Sequence, residues 1–199
     1  MSLSSQYKEL KKLVPKKGEL VLGYGDPGAR IMVIGEAPGR EEVLAGRPFV
    51  GKAGRNLDEF LKEAGISRSA LYLTNVVKFR PVRIGKKGTT ANRPPTKAEI
   101  AACAPYLEAE IAAISPELIL TLGNIALQAL MGEKAKIGQF HGKALSYGKG
   151  FLFALYHPAS VLYNPKLRQV YLEDLARLRA YLTRSGKSSR IEELRREAD

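Results

Sequence analysis

Glu36, Asn75 and His157 each stand at or just past the end of a short apolar run, and Phe49 lies in the glycine-rich stretch between the first two. These four residue types can do complementary work. A carboxylate positions water or stabilises a developing cation, and an amide accepts from one N–H while donating to the adjacent carbonyl. An imidazole can donate to developing negative charge without being cationic. An aromatic ring flanked by Pro48 and Gly51 has no amphipathic helix to belong to, so it is either a local core plug or a stacking platform for a flat ligand. The set suits a base taken out of a nucleic-acid stack better than a phosphorylated small molecule. The absence of G-x-G-x-x-G and Walker patterns at the run ends points the same way.

Such residues converge only if a sheet delivers them to one edge. Residues 30–35 have the β-branched character of a buried strand and stop at Gly35-Glu36-Ala37-Pro38-Gly39. Residues 70–77, 116–123 and 151–156 read as three more strands, and helices are expected over 56–64, 96–114, 124–131 and 167–182. Thr96 with Glu99 forms a capping box, and Ile100, Cys103 and Leu107 follow the buried side of that helix. The alternation predicts an α/β fold, a three-layer α/β/α sandwich with a central four-stranded parallel sheet. In such sheets ligands bind at the carboxyl ends of the strands. Residues 19–22 are expected as a short edge strand, and residues 136–150, with His141, as a β-hairpin excursion. One domain spans 1–199, with a core over about 19–182, an N-terminal helix over 1–17 and a charged tail over 183–199.

Residues 78–95 form the least regular segment, rich in Lys and Arg and free of acidic residues, and read as a long basic loop on the ligand side. The net charge of +12 and pI near 9.8 fit a polyanionic partner. No run approaches the length of a membrane span and the N-terminus lacks a signal-peptide block, so the expectation is a soluble cytoplasmic, nucleoid-associated protein. With one cysteine, Cys103, and two histidines, an internal disulfide is ruled out and a closed metal site within the chain is not expected.

Five blocks, GEAPGREE at 35–42, GRPFVGKAG at 46–54, LTNVVKFRP at 73–81, NRPPTKAEIAAC at 92–103 and YHPASVL at 156–162, resemble the successive motifs of the family-four uracil-DNA glycosylases. That resemblance implies hydrolysis of the N-glycosidic bond of deoxyuridine in single- or double-stranded DNA, leaving an abasic site, and a monomer is expected. It implies catalytic roles for Glu36, Glu42 and His157 and a uracil pocket of Gly35, Ala37, Phe49 and Asn75. An Asn amide reads the N3–H and O4 of uracil, a pattern that cytosine reverses. DNA contacts are expected from Lys78, Arg80, Arg83, Lys86, Lys87, Arg93, Ser160 and Leu162, with Leu162 as a wedge into the vacated stack. The family holds a four-iron, four-sulfur cluster on four cysteines. Here the third ligand position is Phe79 and only Cys103 remains, so no cofactor is expected and apolar packing around Phe79 and Cys103 takes its place. A lengthened basic loop around 83–90 also resembles relatives that trap uracil-DNA covalently through a loop histidine; this loop has none. A glycosylase of wider range, acting on hypoxanthine or xanthine, and a non-catalytic uracil-DNA-binding protein are the competing readings.

Overall fold

In the computed structural model, which describes residues 10–12, 19–164 and 166–184, the apolar runs become strands of one sheet. In chain order the elements are β1 (Tyr24–Gly25), β2 (Ile31–Gly35), α1 (Arg40–Ala45), α2 (Lys52–Ala64), β3 (Leu71–Asn75), β4 (Val82–Ile84) and β5 (Thr90–Asn92). They continue as α3 (Lys97–Ile114), β6 (Leu118–Leu122), α4 (Asn124–Met131), α5 (Ile137–Phe140), β7 (Ala144–Tyr147), β8 (Gly150–Leu155), α6 (Pro158–Tyr163) and α7 (Lys166–Arg184).

The sheet runs β1-β3-β2-β6-β8-β7. Its four central strands are parallel, as the alternation of apolar runs and helices requires, and antiparallel β1 and β7 close the two edges. From β2 the chain steps to β3 on one side and then to β6 on the other, so the order reverses beside β2 and opens a crevice at the carboxyl ends. Alternate residues of β2 serve opposite faces. Ile31 and Val33 pack with Leu57, Phe60 and Leu61 of α2 and Tyr171, Leu175 and Leu178 of α7. Met32 and Ile34 pack with Cys103, Tyr106 and Leu107 of α3 and Ala126 of α4. The capping box forms as expected, Thr96 Oγ1 accepting from Glu99 N and Glu99 accepting from Thr96 N.

Three expectations change in detail. The edge strand is Tyr24–Gly25 rather than residues 19–22, where Leu20 and Val21 pack on the core and Val21 N donates to Lys78 O at 2.7 Å. The basic segment is folded into a β4–β5 hairpin, and residues 136–150 form the expected hairpin through antiparallel β7 and β8, with a short helix added ahead of it. Of the expected N-terminal helix, residues 10–12 are helical with Leu10 buried in the second cluster; residues 1–9 and 13–17, like 185–199 of the tail, lie outside the described residues.

A buried ion pair joins the sheet to α3. Lys78 has no exposed surface, and its Nζ donates to Glu110 Oε2 (2.5 Å), Thr74 Oγ1 (2.6 Å) and the main-chain carbonyl of Asn75 (2.5 Å). Glu110 Oε1 accepts from Gly23 N at 3.1 Å, so one carboxylate ties α3, β3 and the segment before β1. Lys78 therefore does not hold DNA phosphates, as its place in a basic run suggested: the side chain turns inward to neutralise a carboxylate that could not otherwise be buried. Burial pulls its pKa below that of an ordinary lysine and Glu110 opposes the shift.

Lys78→Met leaves Glu110 buried without its cation and should lower stability by about 3–5 kcal/mol, read from urea denaturation. Adding Glu110→Leu should recover part of that loss. A Lys78→Met protein as stable as the wild type would remove the pair from the account of how the layers are joined.

Candidate functional site

The crevice at the carboxyl ends is a cleft of about 470 Å³ whose wall includes Ala37, Glu42, Phe49, Asn75 and His157. Five residues expected from the sequence thus meet at one place. Register explains the first contact. Gly35 pairs with Asn75 across β2 and β3, and a Cβ at Gly35 would lie 2.5 Å from both Asn75 Oδ1 and Phe49 Cζ. Only a glycine lets the amide and the ring come together over the strand end. Asn75 is 4% exposed, and its side-chain amide has no hydrogen-bond partner among the described residues. The amide is left open at the cleft to a ligand offering a matching donor and acceptor.

Phe49 is both alternatives at once: its ring belongs to the core cluster beneath and also lines the cleft. Its backbone is held at φ 55°, a left-handed conformation uncommon for a non-glycine residue. Arg68 steadies it, donating from Nη2 to Phe49 O (2.8 Å) and Pro48 O (3.2 Å) and from Nη1 to Asp58 (2.6 Å). Gly54 leaves room for that carbonyl, since a Cβ there would sit 1.9 Å from Phe49 O.

Glu42 accepts from Gly39 N (3.0 Å) and Gly51 N (2.7 Å), one carboxylate oxygen to each. It thereby fastens the loop after β2 to the loop carrying Phe49 while lining the cleft between them. Glu36 is half-buried, and burial pushes its carboxyl above the usual carboxylate range. Its main-chain carbonyl accepts from Val77 N at 3.0 Å, and its side chain is not part of the cleft wall. His157 caps α6: Nδ1 accepts from Ala159 N at 3.1 Å, which leaves Nε2 to carry the proton of the neutral ring. Enclosure pulls the imidazole pKa down to about 4, with Glu42 opposing the shift. The ring at neutral pH is therefore an uncharged donor.

The basic residues divide. Arg83 and Lys86 are exposed on the hairpin. Arg80 Nε donates to Asn92 Oδ1 at 2.7 Å. Arg93 is committed to Glu99 through both terminal nitrogens and to the carbonyls of Val82 and Pro94, so it anchors the hairpin root to α3 instead of presenting a free fork to phosphate. Ser160 Oγ donates to His157 O at 2.6 Å and holds the turn of the histidine, a local use of the hydroxyl that leaves it no free proton for a phosphate. Leu162 lies in α6, but its side chain and that of Lys87 fall outside the described residues. Asn92, Arg40 and Lys52 line the cleft without having been singled out from sequence. Asn92 was hidden because its segment read as loop; the short apolar-polar alternation around Val82 and Thr90 was the available signal.

The cysteine neighbourhood does not fit a four-thiolate cluster. Cys103 is the chain's one cysteine and is fully buried with Phe79, Val76, Val77 and Tyr106. Among the described residues no group of His, Cys, Asp or Glu has metal-binding geometry, and no helix is long and apolar enough to cross a membrane.

Comparison with known proteins adds three findings. The family model described as the uracil DNA glycosylase superfamily matches residues 22–179. A type-4 uracil-DNA glycosylase of Sulfurisphaera tokodaii is 41% identical over 177 residues, covering 84% of this chain and 77% of that protein, and one of Thermotoga maritima is 39% identical over 171 residues, covering 84% and 85%. The crystal structure of wild-type SMUG2 from Pedobacter heparinus superposes with a TM-score of 0.58 at 15% identity, covering 92% of this chain and 99% of that one, a likeness of fold.

Two measurements test the site. In an NMR titration the His157 ring should protonate near pH 4; a midpoint close to 6.5 would mean a solvated ring. Because the folded value lies below the unfolded one, His157 should favour the folded state fully above about pH 6.5 and lose that contribution as pH falls toward 4. Arg68→Ala should cost about 1–3 kcal/mol by leaving two carbonyls without their donor, and less in a Phe49→Gly background, where positive φ is free of strain. Equal costs in both backgrounds would separate Arg68 from the Phe49 conformation.

Proposed function

Because the chain belongs to the uracil DNA glycosylase superfamily, we propose that it excises uracil from DNA, and that Asn75, Phe49 and His157 are the residues that recognise and activate the base. The observation that carries this reading is the Asn75 amide, without a hydrogen-bond partner among the described residues, set beside the Phe49 ring in the cleft wall. An amide in that setting accepts from N3–H and donates to O4 of uracil. The ring supplies a stacking surface of the size of one pyrimidine.

Extrusion costs a few kcal/mol and is cheapest for a mispaired or single-stranded uracil. Arg80, Arg83, Lys86 and Lys87 hold phosphates during it, and Leu162 follows the turn that bears the histidine. The C1′–N1 bond then breaks with its electron pair passing to the base, so the leaving group is a uracil anion and the sugar gains oxocarbenium character. His157 donates through Nε2 to the negative charge growing on O2; a neutral donor suits this because no proton need be transferred. Glu42, the predicted catalytic carboxylate that lines the cleft, takes the remaining tasks, placing a water against C1′ and opposing the sugar's positive charge. Glu42 does so from the position in which it also joins the two loops. Water adds to C1′ and loses a proton to solvent, the departed uracil anion takes up a proton from solvent, and the products are an abasic deoxyribose and free uracil.

No step runs through a metal or cluster. The protein acts as a monomer on single- or double-stranded DNA, in the cytoplasm at the nucleoid.

Single-turnover incubation with a labelled uracil-containing oligonucleotide, followed by alkaline cleavage at abasic sites, tests the proposal. Wild-type protein should give strand scission, and His157→Ala and Asn75→Asp should each slow it by about 10²–10³-fold, the usual loss when one preorganised donor is removed. Excision by Asn75→Asp at the wild-type rate would sink the reader role. Tight binding of uracil-DNA without scission by the wild type would make the protein a binding module.

A further inference from the structure

Ile84 is 78% exposed, more than any other large apolar residue among those described, and it sits on the β4–β5 hairpin, which is separate from the main sheet. A two-stranded ribbon is marginal in water and gains nothing from an apolar side chain that packs on nothing. Its direction follows from register. Val82 pairs with Asn92, Arg83 with Ala91 and Ile84 with Thr90. Directly paired residues share a face, and so do residues two apart. Val82, Ile84, Thr90 and Asn92 therefore form one face, Arg83 and Ala91 the other. Asn92 lines the cleft. Ile84 thus lies on the cleft-side face, one two-residue step of roughly 7 Å farther out along the strand.

The root of the hairpin is fixed while its outer part stands free. Arg80 clamps Asn92, Arg93 N donates to Pro81 O at 3.2 Å, and the Arg93 side chain joins Val82 O to Glu99. Beyond these contacts the tip is closed by Gly85 N donating to Thr89 O at 2.7 Å, and Arg83 and Lys86 are exposed there. The hairpin continues the cleft wall outward with an apolar side chain facing inward and cations beside it. Bases next to an extruded nucleotide lose a stacking neighbour, and an apolar side chain can cover the exposed base face.

We propose that the β4–β5 hairpin is a DNA-probing element in which Ile84 packs against the base neighbouring the extruded nucleotide, with Arg83 and Lys86 holding the flanking phosphates. The inference rests on DNA being the substrate, as proposed above, but not on excision. Ile84 touches nothing that the chemistry uses, so its role is in forming and holding the opened duplex.

The test uses duplex carrying a tetrahydrofuran abasic analogue, with 2-aminopurine placed in turn on each side of it and opposite it. Binding is read by anisotropy and stacking by 2-aminopurine fluorescence. Wild-type protein should change the fluorescence at one or more of these positions. Ile84→Ala should abolish that change and weaken binding by about five- to tenfold, the low end of what loss of one stacking contact costs, while Ile84→Leu keeps both. Binding of undamaged, fully paired duplex should be unaltered by Ile84→Ala. The proposal is overturned if Ile84→Ala matches the wild type in fluorescence and affinity, or if it weakens undamaged duplex equally. Both readouts need no cleavage, so they stand apart from the uracil-excision assay: failure of excision with an Ile84-dependent signal would refute the glycosylase reading alone.

Discussion

The absence of a single Cβ underlies the cleft wall. Parallel pairing puts Gly35 opposite Asn75, and only because position 35 has no side chain can the Asn75 amide and the Phe49 ring occupy the same strand end. Everything on that side of the cleft is built to preserve this approach. Arg68 holds the Phe49 backbone in its positive-φ state, Gly54 leaves space for the same carbonyl, and Glu42 keeps the two loops at a fixed separation. The strain is local, and hydrogen bonds from elements that are themselves well packed hold it in place.

The opposite face of the sheet supplies rigidity by other means. The Lys78 ammonium binds the main-chain carbonyl of Asn75 and is neutralised by Glu110, so Asn75 is fixed from beneath by a charge pair without exposed surface. Cys103 and Phe79 fill the adjoining apolar cluster. Where the family resemblance implies a metal cluster tying chain segments together, this chain ties them with packing and a buried carboxylate that also reaches the main chain at Gly23. A buried pair is weak evidence of net stability, but its several fixed partners specify one geometry.

Enclosure sets the charge of two groups just past the strand ends. Burial makes His157 a neutral donor and pushes the Glu36 carboxyl upward, in each case by disfavouring the charged form. Exposed cations stand both at the cleft, at Arg40 and Lys52, and on the hairpin, at Arg83 and Lys86. The cleft wall thus joins the uncharged Phe49, Asn75 and Asn92 to charged side chains of both signs at Arg40, Glu41, Glu42 and Lys52.

The sequence by itself determined the parallel core, the helix caps and the residues at the strand ends, because apolar period, β-branching and turn chemistry are local signals. Asn75, Phe49 and His157 were legible for that reason, each being fixed to the end of a strand or to a glycine-rich turn. Residue type alone could not tell Lys78 from Arg83 within one basic run, since direction depends on a carboxylate 32 positions away, and only packing against α3 turned one inward. Nor could it tell that Arg93 faces Glu99, that Ser160 bonds its own turn, or that Glu42 spans two loops. Asn92 and Ile84 read as loop because three-residue strands carry too few alternations to declare a face. Their shared side came from pairing register and from the place where the hairpin root is pinned, both of which arise only when distant segments meet.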